Sequence, residues 1–483
     1  MVFKPDGQLD RNVYLQEKPV LTHIQDITSP MTPLEKRATW SLSGIYALRM
    51  LGLFLIMPVL SLFSEQLEGA TPSLIGLAIG IYGITQSILQ IPFGLWSDRV
   101  GRKKIIVLGL LLFCAGSIVA ALSNSIYGIV AGRAIQGAGA IAAPIMALVA
   151  DLTQEVHRTK AMALIGASIG VSFGVAITLG PVVAGFIGVH GLFWVIAGLA
   201  VLAILNIVFV VPNPERSKIH RDAEVVPSQL STVLANAELL RLDYGIFVLH
   251  IILTASFVIV PLLLRDSGLL PDRHWLVYLP VFVTSLAGII PFVILAEKKR
   301  KMKGVFIGAI VSLIVADLGL TLFHNILPGI IASLWLFFCG FNLLEATLPS
   351  LVSKTAPSDL RGTAMGIYST CQFLGAGLGG TAGGWFYGHY GVESVFLFCA
   401  AAAFSWFLLS LTMKPPRHLA NLLISMEKIN RLRTDEFISG LLKVAGIEEV
   451  TVHAEEAVAY LKVDNQKLDR NQLQLFLNQF GEA

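Results

Sequence analysis

The sequence predicts an all-α membrane protein: two six-helix bundles in series, followed by a small α+β domain. Three observations carry that reading. Hydrophobic residues make up 55% of the 483 and charged ones only 14%, whereas an average soluble chain is about a quarter charged. Twelve apolar segments each approach the roughly 20 residues needed to cross a bilayer. A polar stretch divides them six and six, and the composition changes again after the last. With a mean hydropathy of +0.72, a soluble reading of the whole chain is excluded.

Residues 1–38 form a polar tail punctuated by Pro5, Pro19, Pro30 and Pro33. Met1 to Arg37 lacks a short apolar core followed by a small-residue site, so no cleavable signal peptide is expected and the first span stays as an anchor. The N-terminal bundle occupies 39–212, with spans near 40–62, 73–96, 105–122, 126–150, 162–187 and 191–212. Residues 213–243 are the linker. The C-terminal bundle occupies 244–414, with spans near 244–264, 275–296, 304–323, 326–352, 363–388 and 392–413.

Bases crowd alternate connections: Arg99 to Lys104, Arg158 with Lys160, the linker's Arg216, Lys218, Arg221 and Arg241, Lys298 to Lys303, and Lys354 with Arg361. The opposite connections, such as Glu65 to Glu68, Ser123 to Ser125 and His324 to Asn325, bring only Arg265 and Arg273. This asymmetry puts both termini in the cytoplasm. A formal charge of +3 does not suggest a nucleic-acid partner. The cysteines Cys114, Cys339, Cys371 and Cys399 sit in apolar runs with no metal-type or paired spacing, and read as packing residues.

The sequence also echoes itself. Arg158-Thr159-Lys160-Ala161-Met162-Ala163 before span five matches Arg361-Gly362-Thr363-Ala364-Met365-Gly366 before span eleven. The same offset pairs Gly174 with Gly377 and Gly180 with Gly383, which implies two related halves.

Between spans two and three the chain reads Gly94-Leu95-Trp96-Ser97-Asp98-Arg99-Val100-Gly101-Arg102-Lys103-Lys104. So many charges on an expected loop cannot lie in hydrocarbon, which places the segment at a water face. It resembles the signature loop of the major facilitator superfamily, and the resemblance implies the twelve-helix fold of that family. It further implies that Asp98 sits near the N-terminus of span eleven, gaining from the helix dipole, and that Arg102 pairs with Asp151 at the end of span four. Such contacts join the halves on the cytoplasmic side; the alternative is a loop that only fixes topology and packing.

After Pro415-Pro416, residues 419–483 are polar, with strand-like runs at Leu419 to Met426, Glu449 to Ala454 and Ala457 to Val463. Helical stretches lie between and after them, the last capped by Asp469. The order is that of a ferredoxin-like split βαββαβ unit without an obvious last strand. The unit resembles a metallochaperone fold, but Glu427-Lys428-Ile429-Asn430 stands where those proteins hold a cysteine pair, so no metal is expected. A twelve-span facilitator with this appendage resembles the YajR group of proton-coupled bacterial efflux proteins.

In that superfamily spans one, four, seven and ten line the central cavity. Here they carry Arg49, Arg133, His250 and Glu345, and an ionisable group at membrane depth is a functional candidate by default. Glu345, with His250 as neighbour, is expected to take up and release the coupling proton; a structural acid is the alternative. Arg133 is read first as fixing packing and cavity charge, and Asp317 as a structural partner. Tyr46, Gln86, Gln90, Gln136, Asn342 and Gln372 are candidate cavity polar groups. Trp194, Phe257 and Trp335 are read as packing.

Span five spaces Gly166, Gly170 and Gly174 four apart, then reads Gly180-Pro181-Val182-Val183-Ala184-Gly185. Such a run permits close approach and a bend. It also resembles the antiporter motif of drug efflux facilitators, with Ala184 where that motif usually has Gly, and so favours export.

The expected protein is a proton-coupled secondary transporter of the inner membrane whose partners are lipid, protons and a small molecule. No cofactor is implied, since there is no Walker-type phosphate loop, nor any nucleophile with His and acid partners that would suggest an enzyme. Uptake by proton symport or facilitated diffusion is an alternative. So is a transporter-like sensor whose C-terminal domain binds a cytoplasmic ligand.

Overall fold

The computed structural model describes residues 30–63, 67–213, 225–297, 299–357, 360–414, 420–425, 434–453, 458–464 and 467–481. Glu65, Arg216, Lys218, Arg221, Lys298, Pro415-Pro416, the Glu427 to Asn430 segment and most of the N-terminal tail lie outside them. The chain separates into a helical unit, Met31–Arg417, and a unit beginning at His418.

The first helix, α1 (Pro33–Leu55), starts where its sequence tells it to. Thr32 Oγ accepts the Glu35 amide at 3.2 Å while the Glu35 carboxylate accepts the Thr32 amide at 2.8 Å, with Pro33 in the first turn. A one-residue break at Ile56 leads into α2 (Met57–Phe63), which completes span one. Spans two and three are α3 (Pro72–Val100) and α4 (Arg102–Leu122). Span four is α5 (Ile126–Ala138) and α6 (Ala142–Leu152), separated at Gly139 to Ile141.

Spans five and six are expected as separate helices, yet one helical run, α7 (Glu155–Phe209), carries both, broken only at Gly188 (φ 69°, ψ 179°). That positive φ costs glycine nothing. Ser172 Oγ donates to Ala47 O at 3.0 Å, and Asn206 stands over Gly44, so both arms of α7 reach the same level of α1. The chain therefore reverses at Gly188, and two crossings result.

The stretch expected as linker, 213–243, holds the short α8 (Leu230–Leu234) and the first turns of α9 (Ala237–Asp266), which is followed by α10 (Trp275–Glu297), α11 (Met302–Phe323), α12 (Leu327–Thr355), α13 (Arg361–Tyr390) and α14 (Val392–Leu411). Ten stretches are long and apolar enough to cross a membrane. One of these is the reversed α7, and the glycine-rich α13 is long enough though less apolar, so the described residues make twelve crossings.

The repeat inferred from sequence has a geometric counterpart. A Cβ on Gly174 would meet Phe282 of α10, across the two halves, just as one on Gly377 would meet Ile84 and Gly80 of α3. Gly180 and Gly383 each meet the first helix of their own half, at Leu55 O and Ala255.

The second unit runs β1 (Ala420–Ser425), α15 (Thr434–Leu441), β2 (Ile447–His453), β3 (Val458–Val463) and α16 (Arg470–Gly481). Its sheet order is β1-β3-β2 with both pairs antiparallel, so β1 and β2 run parallel with β3 between them. That is the split βαβ arrangement. Ile424, Phe437, Leu441, Leu461 and Leu473 form its core. Asp469 caps α16, accepting the Asn471 and Gln472 amides at 3.0 Å. Among the described residues no fourth strand accompanies these three.

Candidate functional site

Where α1, α2, α3, α5, α7, α9 and α13 meet, a cavity of about 60 Å³ is lined by residues of both halves, including Tyr46, Tyr82, Arg133, His250, Thr254 and Gln372. Its walls are otherwise apolar, so each polar group must find a partner or bear the cost of being left without one.

On the N-terminal side Arg133 is 2% exposed. Its Nε donates to Ala78 O at 3.2 Å, Nη1 donates to Gln136 Oε1 at 2.9 Å, and the guanidinium lies 4.8 Å from the Tyr82 ring centre. Gln136 passes a hydrogen bond on to Ser117 Oγ at 2.7 Å. Arg49, expected on the pathway, is not among the cavity-lining residues. Its Nη2 donates to Gln86 Oε1 at 2.7 Å and to Gly139 O at 2.9 Å, tying α1 to α3 and to the break between α5 and α6. The break explains this, because a non-helical Gly139 (ψ 55°) turns its carbonyl toward the guanidinium. Gln86 also donates to Gln90 at 3.4 Å, so these two glutamines serve Arg49 and its surroundings.

On the C-terminal side His250 (α9), Glu345 (α12) and Gln372 (α13) come together. His250 Nε2 lies 3.9 Å from Glu345 Oε2, and the Gln372 Nε2 group sits 3.0 Å from His250 Nε2 and donates to Glu345 Oε1 at 3.1 Å. His250 Nδ1 faces Ile246 O at 3.2 Å. That arrangement suits a ring with its proton on Nδ1 and an accepting Nε2, fixed by the Gln372 amide. Asn342 donates instead to Ser285 at 3.0 Å, away from this group. Asp317 is fully buried, and its carboxylate oxygens have no hydrogen-bond partner among the described residues.

The halves meet along α3 and α13. A Cβ on Gly76 would fall 2.4 Å from Gly380 O, one on Gly80 2.1 Å from Gly377 O, and one on Gly83 2.5 Å from Phe373 O. Only glycine lets two backbones touch in this way. Gly388 faces Pro72 at the same end, whereas Gly94 and Gly366 face Ala143 and Val225. The seam between halves is therefore closed at the end away from Gly101. The spacing of Gly76, Gly80 and Gly83 along α3 is the sequence signal for this contact, absent from the expected motifs.

The expected signature loop is almost entirely helix. Helix α3 continues through Val100, and Gly101 alone (φ 109°, ψ 134°) joins it to α4. Nothing from Leu95 to Arg99 calls for a positive φ, so the helix ends only where glycine allows the turn. Arg102, 3% exposed, pairs with the Asp98 carboxylate four residues earlier, with Asp151 at 3.3 Å and with Ser97 Oγ at 3.1 Å. Arg99 is exposed in the last turn of α3, where a cation favours the dipole. At the start of α13, where the resemblance implies Asp98, the linker is bonded: Thr363 Oγ accepts the Val226 amide at 3.0 Å and donates to Gln229 Oε1 at 2.9 Å.

Of the span-five motif, Gly180 packs on Leu55 O and Pro58, and Gly185 approaches Asp272. Pro181 lies inside α7 without ending it. Gly166 and Gly170 do not pack as expected, since open space faces the position of each missing Cβ. Gly174, one turn further on, does meet Phe282 of α10. The sequence reading also missed Glu35 and His157, whose carboxylate and Nδ1 stand 3.0 Å apart and link the starts of α1 and α7.

A twelve-crossing bundle of two related halves around one shared cavity defines a membrane transporter. The Major Facilitator Superfamily model matches residues 42–380 and 275–447, and the chain belongs to that superfamily. It is 46% identical over 449 residues to the inner membrane transport protein YajR of Escherichia coli strain K12, covering 93% of this chain and 99% of that protein. It is 28% identical over 348 residues to the multidrug resistance protein MdtH of Aeromonas hydrophila, covering 71% and 85%. The fold is shared with a bacterial homologue of the human lysosomal transporter Spinster in an inward-facing, occupied conformation (TM-score 0.65, 14% identity, 79% of this chain and 98% of that one). It is also shared with the human organic anion transporter MFSD10 (TM-score 0.58, 18% identity, 78% and 100%). As members of a transporter family, such chains are not enzymes.

Proposed function

We propose that this chain is a proton-coupled antiporter of the inner membrane that exports a small amphiphilic compound by alternating access. The observation that carries the reading is the Glu345, Gln372 and His250 cluster, in which His250 and Gln372 line the cavity and Glu345, expected there, stands behind them; it sets a carboxyl and an imidazole in one hydrogen-bonded group where lipid would tolerate neither. Proton binding at Glu345 and ligand binding in the cavity then compete through the same side chains, and competition between two ligands for one site gives exchange. Arg133 supplies cavity charge. The Arg102 cluster with Asp98 and Asp151 holds α3, α4 and α6 as one block, and the opposite closure brings Asp98 toward α13. The similarity to MdtH, a multidrug resistance protein, favours export, as does the Gly180-Pro181 run.

Both termini lie in the cytoplasm on this reading, because bases dominate one set of connections and twelve crossings return the chain to its starting side. Residues 419–483 then form a cytoplasmic domain that binds a ligand and tunes transport.

The test is flux of a fluorescent amphiphile such as ethidium in proteoliposomes under an imposed proton gradient. Glu345→Gln is expected to abolish gradient-driven flux while leaving probe-for-probe exchange. Gradient-driven flux at the unmodified level in that variant removes Glu345 from the scheme, and flux of the probe with the proton rather than against it makes the chain a symporter.

A further inference from the structure

The N-terminal wall of the cavity holds positive charge that nothing beside it neutralises. Arg133 is 2% exposed and Arg49 1%. Both guanidinium groups lie against the Tyr82 ring, 4.8 Å and 5.8 Å from its centre. Every hydrogen-bond acceptor they use is neutral: Ala78 O and Gln136 Oε1 for Arg133, Gln86 Oε1 and Gly139 O for Arg49. Among the described acids of that half, Asp98 and Asp151 pair with Arg102, Glu35 pairs with His157, and Glu68 is exposed on an outer connection. Across the cavity, Glu345 is held by Gln372.

A buried charge without a counter-charge is costly, and two like charges against one ring also repel. A lysine in such a place escapes the cost by losing its proton, but a guanidinium cannot. Donors also remain unused beside the cavity. Arg133 Nη2 makes no hydrogen bond among the described residues, nor does the Tyr46 hydroxyl; both residues line the cavity, and neither atom is fully enclosed. The walls around them, including Met50, Leu53, Ile79 and Phe373, are apolar, which strengthens the attraction of a guanidinium for an anion. The cavity of about 60 Å³ holds a few water-sized bodies. That suits a halide or a carboxylate group, whereas a divalent ion would lose more hydration than two donors replace.

We propose that the cavity contains a monoanion site, with Arg133 Nη2 and the Tyr46 hydroxyl as its donors and Arg49 as a second positive charge behind Tyr82. Its occupant is a halide or the carboxylate of a small organic acid. A halide neutralises the wall that a cationic amphiphile must pass, and a carboxylate makes the cargo itself an acid. The site is built by the N-terminal half and stands whether or not Glu345 carries the coupling proton.

The thermal midpoint of the full chain in detergent tests it, with sodium bromide or sodium butyrate replacing sodium gluconate at constant ionic strength and pH. Gluconate is too bulky and too hydrophilic for the cavity. A saturable rise in the midpoint is expected with at least one of the two anions. A rise with bromide assigns the site to a free halide, and a rise with butyrate alone assigns it to a carboxylate head. Arg133→Gln is expected to abolish the rise, while Arg133→Lys and Tyr46→Phe keep it at a several-fold higher half-saturating concentration. The proposal is overturned if neither anion gives a saturable rise in the unmodified chain. It is equally overturned by an undiminished rise in Arg133→Gln or, where that variant does not fold, by unaltered half-saturation in Tyr46→Phe.

Discussion

His250 and Glu345 approach to 3.9 Å across the junction of α9 and α12, with the Gln372 amide from a third helix holding both. Since Gln372 touches each partner, it should matter to stability and coupling alike. Gln372→Leu leaves two polar groups facing an apolar side chain, and is expected to cost about 1–3 kcal/mol. The thermal midpoint in detergent should fall, and gradient-driven flux of the amphiphile should fall further than probe exchange. Equal losses in both fluxes would reduce Gln372 to a packing residue.

Arg102 reaches Asp98, Asp151 and Ser97 at once. A lysine offers one point charge where the guanidinium fork makes several directed bonds. Arg102→Lys should therefore destabilise the chain nearly as much as Arg102→Ala. Breaking a buried ion pair costs about 3–5 kcal/mol. Thermal unfolding of the two variants, compared side by side, decides the point.

Gly80 has no room for a side chain, because its Cβ would stand 2.1 Å from Gly377 O. Gly80→Val should push α3 and α13 apart and shift the population away from this conformation. In a cysteine-free background, crosslinking between Pro72→Cys and Gly388→Cys should drop several-fold when Gly80→Val is added. An unaltered crosslinking yield would mean that the seam yields elsewhere.

Gly101 holds a φ of 109° between two long helices. Any other residue pays roughly 1–3 kcal/mol for such backbone. Gly101→Ala is expected to lower the thermal midpoint even though nothing lies within 4 Å of the added methyl. The loss would thus measure backbone strain and not a clash.

In the C-terminal unit Phe437 is fully buried, with its ring 5.9 Å from that of Phe476. Phe437→Ala should cost about 3–5 kcal/mol within that unit. Limited proteolysis of the full chain should then release fragments ending after Arg417 while the helical unit remains intact. Persistence of the whole chain under the same digestion would contradict the assignment of Phe437 to that core.

Most of the helical architecture was legible because lipid imposes a length and an apolarity that composition reveals. Even so, hydropathy shows the Gly188 reversal only as a gap between helices, and the Gly101 turn as an eleven-residue loop. Hydropathy reports where polar residues fall, and backbone geometry is set by which residue tolerates a positive φ. The second unit was readable as strand, helix, strand, strand, helix, since its alternation is strong, but pairing order is a tertiary property.

The site was legible residue by residue and illegible as a set. His250 and Glu345 stood out because charge at membrane depth is costly, and their equal depth made a meeting possible. That Arg49 serves a helix junction and that Gln372 joins partners on two other helices depend on how the helices are rotated about their axes, which spacing along one helix cannot fix.

By itself, then, the sequence determined which segments cross the membrane, which charges must be sheltered and that the chain is built of two related halves, all of which follow from the cost of moving polar groups out of water. Only the tertiary structure decided which sheltered groups share a wall, where the halves touch and at which end the seam closes. Those depend on backbone approach and helix rotation, where a single glycine hydrogen in place of a methyl decides whether two helices meet.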